Sequence, residues 1–175
     1  MPVEFSVRHL VAAVSGLLLI LTGAPPASAH PHIFVDARAK LVFNDAGAIE
    51  QLRHEWTFDP SFSAWIIQGL DTDDDGVVSS PEMQRLADEN MVGLAGYQFY
   101  TYASIGERDL AFEAVGDQSM AYEDGRVTLQ YSIHLAEPTV LDGTLELAVG
   151  DPEYYVAITI ADASAVTRRP QGKGA

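Results

Sequence analysis

The stretch Asp71-Thr72-Asp73-Asp74-Asp75-Gly76-Val77-Val78-Ser79-Ser80-Pro81-Glu82 carries the most specific chemistry in this chain. Asp71, Asp73 and Asp75 stand at alternate positions, Gly76 follows, and Glu82 closes the run. A twelve-residue calcium loop needs carboxylates at positions 1, 3 and 5, a sharp turn at glycine 6 and a backbone carbonyl at 7. It also needs a polar or water-bearing residue at 9 and a bidentate glutamate at 12. Val77 offers the carbonyl and Ser79 fills the ninth position. Calcium suits this set because it is a hard, large ion that takes about six to eight oxygens at flexible angles. A solvated acidic turn explains part of the pattern, since Ser79-x-x-Glu82 is also a helix capping box. It does not explain three alternating aspartates followed by glycine.

A second set of ligands depends on where the chain is cut. Arg8 and His9 precede the apolar run Leu10 to Leu21, and Ala27-Ser28-Ala29 is a small-residue cleavage pattern, so residues 1–29 are expected to be a secretory signal peptide. Cleavage there exposes His30, whose α-amine and ring nitrogen can chelate one ion together. His32 lies two residues on, on the same face of an extended chain. Pro31 has no N–H, which removes the amide-binding mode open to other N-terminal histidine motifs. Pairing through an Asn44–Gly47 turn brings His32 near Asp59, so Asp59 or His54 is expected to complete a shell of His30 and His32. Nitrogen-rich ligands favour copper, nickel or zinc over calcium. For His54 a cross-strand position in the core competes with a ligand role, and His134, at a strand end, is bland.

These residues need elements to hold them. Phe62, Trp65, Ile66 and Leu70 recur at helical spacing before the loop, and Met83, Leu86, Met91 and Leu94 after it. Residues from about 60 to 96 therefore read as one EF-hand, a helix–calcium loop–helix unit. A lone unit must bury its apolar side elsewhere, so Phe62, Trp65, Ile66, Leu86 and Leu94 are expected to pack on the rest of the protein. The remainder reads as strands. Ile33 to Asn44 alternates apolar and polar residues, Asn44–Gly47 turns, and Ile49 to Phe58 returns as the other half of a hairpin. Gln98 to Ile105, Leu110 to Val115, Arg126 to Leu135, Thr144 to Val149 and Tyr154 to Ile160 complete about seven strands, with Glu123-Asp124-Gly125 as a tight turn. Tyr154 and Tyr155 read as strand aromatics, one facing in and one out. The expected fold is mainly β (α+β): a small antiparallel β-sandwich with the helical insert, over residues 30–166. An up-and-down barrel is the alternative. The basic tail, 167–175, is expected to be disordered.

The chain has 175 residues, no cysteine and a formal charge of −15. Cleavage removes one acidic residue, Glu4, and one arginine, Arg8, so the charge persists. Such acidity disfavours nucleic acid and anionic membranes. No stretch after the signal is long and apolar enough to span a bilayer. Without disulfides, stability rests on the core and on metal. Catalytic signatures are absent: no Gly-x-Ser-x-Gly elbow, no phosphate loop and no His-Glu-x-x-His.

His-Pro-His-Ile-Phe-Val-Asp at 30–36, Arg-His-Glu-Trp-Thr-Phe-Asp at 53–59, the Asp-Thr-Asp-Asp-Asp-Gly loop and Asp-Pro-Glu-Tyr-Tyr-Val at 151–156 together resemble the DUF1007 family. The resemblance covers roughly residues 30–161. It implies a periplasmic component of a metal-related transport system, with a membrane metal transporter as partner. The expected function is thus a periplasmic or secreted, non-enzymatic accessory protein that binds calcium, and a transition metal at its N-terminus. A copper-dependent oxidative enzyme using His30, and an interaction module with calcium alone, are the alternatives.

Overall fold

A computed structural model describes residues 31–160 and the backbone of 166–170. The expected signal peptide and His30 lie outside these residues. The chain is mainly β, with two sheets. The larger holds β1 (Ile33–Phe43), β2 (Ala48–Phe58), β5 (Phe112–Ala114), β6 (Ser119–Glu123), β7 (Arg126–Val140), β9 (Val156–Ile160) and β10 (Val166–Pro170). The smaller holds β3 (Thr101–Ile105), β4 (Arg108–Leu110) and β8 (Leu145–Val149).

β1 and β2 form the expected hairpin. Asn44 closes it: its side-chain oxygen accepts from Ala46 and Ala48 N–H at 3.1 and 3.0 Å, and Gly47 takes the positive φ that the turn requires. Alternation then buries Val35, Ala37 and Ala39 of β1 and Leu52, His54, Trp56 and Phe58 of β2. The register slips between Val42 and Phe43, so both of these residues are buried in succession. β2 pairs on its other side with β7, whose Val127, Leu129, Tyr131, Ile133 and Leu135 face the same core. Ile105 of the smaller sheet clusters with Phe43, Ile49 and Leu135 of the larger, with Leu110 and Leu145 packed alongside.

Several strand expectations need correction. The sheet is not wholly antiparallel, because β9 and β10 both run parallel to β1. β10 occupies Val166–Pro170 and so overlaps the start of the tail expected to be disordered, 167–175, while residues 171–175 lie outside the described set. The segment 110–115 is not one strand: β4 and β5 belong to different sheets, and the chain changes sheet at Ala111. β6 was not anticipated, although Asp124-Gly125 signals it. Both residues take positive φ, the two-residue hairpin geometry that requires a strand on each side. The strand expected from Gln98 starts at Thr101, because Gln98, Phe99 and Tyr100 all take positive φ. That costs about 1–2 kcal/mol per residue. Burial of Phe99 at 4% exposure offsets it, and the Phe99 carbonyl accepts from Thr101 Oγ1 at 3.0 Å.

Between β2 and β3 lie α1 (Pro60–Ile66) and α2 (Ser80–Ala95). Asp59 caps α1, accepting from Ser61 and Phe62 N–H at 2.9 and 3.0 Å. Met83, Ala87 and Met91 of α2, spaced by four, form its buried line. Phe62, Ile66, Leu86 and Leu94 are partly buried against the core, as expected. Trp65 is not: it is 64% exposed and lies against Phe62, with ring centroids 5.6 Å apart. The reason is helical phase. The inward residue of α1 is the fully buried Ser63, whose Oγ accepts from Val127 N–H at 2.9 Å. Trp65, two residues further, points about 200° away from it.

Candidate metal centre

The loop between α1 and α2 is built by its own carboxylates. Asp71 accepts from Asp75 N–H at 3.1 Å and from Gly76 N–H at 2.8 Å. Asp73 accepts from Asp75 N–H at 3.3 Å, and Asp75 from Val77 N–H at 2.8 Å. Asp74 and Gly76 take φ of 59° and 84°, which curls the chain and turns successive N–H groups inward. Asp71, Asp73 and Glu82 are thereby drawn together, with one oxygen of each within 4.8 Å of the others. Asp75 stays on Val77, and Val77 itself is exposed.

Glu82 bridges the two ends of the loop. One of its oxygens accepts from Thr72 N–H and Oγ1 at 2.6 and 2.7 Å, and the other from Ser79 N–H and Oγ at 2.8 Å each. The Thr72 bonds first, then those of Ser79, pull its pKa down to about 2. Glu82 is therefore an anion at any ordinary pH. Its bond from Ser79 N–H, with Ser79 Oγ accepting from Glu82 N–H in return, is also the capping box that starts α2. Thr72, which closes the loop from position 2, was missed because a calcium loop does not constrain that residue.

The donor set fits a hard cation. Three anionic carboxylates converge with no Lys or Arg paired to them among the described residues. Hydroxyl hydrogens rotate freely, so the Thr72 and Ser79 hydroxyls can turn away and free a lone pair on each Glu82 oxygen while the two backbone N–H bonds remain.

Of the candidate transition-metal residues, His30 lies outside the described residues, Asp59 sits beside Phe34 near the start of β1, and His54 lies apart from both His32 and Asp59. His32 N–H donates to the Tyr155 carbonyl at 3.0 Å, and the two rings lie 5.1 Å apart. Asp59 is committed to Ser61, Phe62 and Phe34 N–H groups. Burial works to raise its pKa, but the Phe62, Phe34 and Ser61 bonds and the Arg126 charge outweigh it and hold Asp59 below the usual range. His54 pairs with Ala39. That is seven residues along β1 from His32, about 23 Å at strand rise. It is also buried at 3% exposure, stacked on Tyr131 at 4.8 Å, with Nε2 3.3 Å from Thr101 Oγ1. Burial pushes its pKa down to about 4. His54 is a core histidine. His134 lies 3.6 Å from Glu113 on the surface.

The start of β1 is nonetheless a meeting point. Asp151, itself buried, accepts from Glu153, Tyr155 and Val156 N–H at 2.9 to 3.0 Å and so holds the turn that puts Tyr155 against His32. Tyr154 and Tyr155 both precede β9 and are both exposed, so neither faces the core as expected. Arg126 draws the other side in, donating to the Phe58 carbonyl at 2.7 Å and to Asp36 at 2.7 Å. The start of β1 (32–36), the end of β2 (57–59) and the turn 151–156 thus converge at one end of the large sheet. The roles of Asp151 and Arg126 were missed because each acts across a strand junction far away in sequence.

A family model described as "Protein of unknown function (DUF1007)" matches residues 16–173. An uncharacterised protein of Haemophilus influenzae is 27% identical over 153 residues, covering 83% of this chain and 72% of its own.

Proposed function

The chain belongs to the DUF1007 family, and from that premise we propose that it is an exported, non-enzymatic accessory protein that binds calcium in the loop 71–82 and serves a metal transport system. The observation that carries this reading is the convergence of Asp71, Asp73 and Glu82 within 4.8 Å. In it the two sheets are layers of a small β-sandwich, and α1, the loop and α2 are an EF-hand insert. The shared cluster of Ile105 with Phe43, Ile49 and Leu135 supports the sandwich. Burial of Met83, Ala87 and Met91 supports an insert that docks on the β-core in place of a second EF-hand. Calcium here is structural, in the weak extracellular class with Kd of about 10⁻⁴–10⁻³ M.

The N-terminus, just ahead of β1, is proposed as the place for copper, nickel or zinc, through His30 and His32. What supports it is that His32 is anchored by Tyr155 at the meeting point of three segments. His54 takes no part, because it is buried and distant.

The test is calorimetric melting of the exported protein with calcium. At ten times Kd, mass action adds about 1.4 kcal/mol to stability. Glu82→Gln should lose that gain. An unmoved melting curve for the wild type in saturating calcium refutes the reading.

A further inference from the structure

The outer face of the large sheet carries a groove of about 470 Å³, lined by β1, β2, β6 and β7. Strand register sets its residues in rows. One row runs Arg38, Glu55, Gln130, Ser119. It is satisfied internally: Arg38 meets Glu55 at 2.6 Å, and Gln130 donates to Glu55 at 3.2 Å. The next row runs Lys40, Arg53, Ser132. Beyond it Asp117 accepts from Ser132 N–H and Oγ at 2.9 and 2.6 Å.

This second row is not satisfied. Lys40 stands directly opposite Arg53, and like charges in that position destabilise a strand pair. Among the described residues the ion pairs of cationic side chains involve Arg38, Arg108, Arg126 and His134, and none involves Lys40 or Arg53. The chain carries 25 acidic residues against 10 basic ones, yet no carboxylate is set between these two. Arg38 is also in the groove, so scarce cations are gathered here rather than spread.

We propose that this groove binds a small organic carboxylate between Lys40 and Arg53. The planar guanidinium of Arg53 presents two N–H groups that match both carboxylate oxygens, and the Lys40 ammonium adds a compact charge from the facing strand. One carboxylate cancels the repulsion between Lys40 and Arg53. Glu55 and Asp117 in the same groove set a limit on ligand charge. They oppose a phosphate dianion more than a carboxylate, because each adds a like charge at short range. The groove volume lies in the range of small-molecule sites. A free organic acid and an amino acid share this chemistry.

Titration calorimetry of the full exported chain with lactate, glutamate and inorganic phosphate tests the proposal, together with Lys40→Gln and Arg53→Gln. Lactate or glutamate should bind the wild type, and whichever binds tighter identifies the source. Each variant should weaken that binding at least tenfold. The ligand-free Lys40→Gln protein should melt above the wild type, since it removes the repulsion. Four results overturn the proposal: no binding by any probe, equal affinity in the variants, phosphate binding tighter than both carboxylates, or a ligand-free Lys40→Gln protein that melts below the wild type. The last would reveal a counter-charge already on Lys40.

Discussion

The loop after α1 and the outer face of the large sheet both crowd like charges, and they handle them in opposite ways. In the loop, every crowded carboxylate accepts N–H donors: Asp71 from two residues, Asp73 from one and Glu82 from two backbone groups and two hydroxyls. On the sheet, Lys40 and Arg53 face each other with nothing comparable between them. The difference follows from backbone availability. A curled loop has unpaired N–H groups to aim inward, whereas a strand inside a sheet has committed its N–H and C=O groups to the ladder. Like charge in a loop can be held by the chain itself. Like charge across two strands needs a side chain or a ligand.

That contrast also divides the proposed helical insert, α1 to α2, from the two sheets. The largest effect is expected where the two join. Met83→Ala should cost about 2–5 kcal/mol by denaturant unfolding, because Met83 is 3% exposed at the α2–core contact. A cost near zero would mean that the insert does not rely on that contact.

Next comes the core histidine. Its folded pKa of about 4 lies below the ordinary 6.5, so the folded state favours neutral His54. The stability this represents is fully present above pH 6.5 and is lost as pH falls from 6.5 through about 4. The shift corresponds to about 3 kcal/mol. Melting curves between pH 7 and 4.5 should show this slope, and His54→Phe should flatten it. A slope that survives in His54→Phe would place the acid sensitivity elsewhere.

The smallest effect is expected at Trp65. The sequence expectation of a buried ring implies a cost of about 3–5 kcal/mol for Trp65→Ala. The exposed position implies a change within about 0.5 kcal/mol. Unfolding of this one variant distinguishes the two.

Much of the molecule was legible from residue order. The loop 71–82 was readable because its candidate ligands lie within twelve consecutive residues, and turn geometry brings them together with no help from distant chain. The β1–β2 hairpin was readable because the Asn44 turn and the period-two pattern agree on one register. Even the errors there were local. The strand at 119–123 was signalled by Asp124-Gly125, and Trp65 was misplaced because a seven-residue helix is too short for its phase to be read from apolar spacing alone.

What only the tertiary structure decided is which distant residues meet. The sequence established that His32, His54 and Asp59 exist in polar, metal-capable types. The register of β1 against β2 decided that His54 lies deep in the core and that Lys40 faces Arg53. The pairing of β9 with β1 decided that the Asp151 turn sets Tyr155 against His32. Alternation along a strand says which face a side chain takes, but the residue beside it belongs to another strand. That neighbour is chosen by the sum of core contacts over the whole sheet, and no window of consecutive residues contains it.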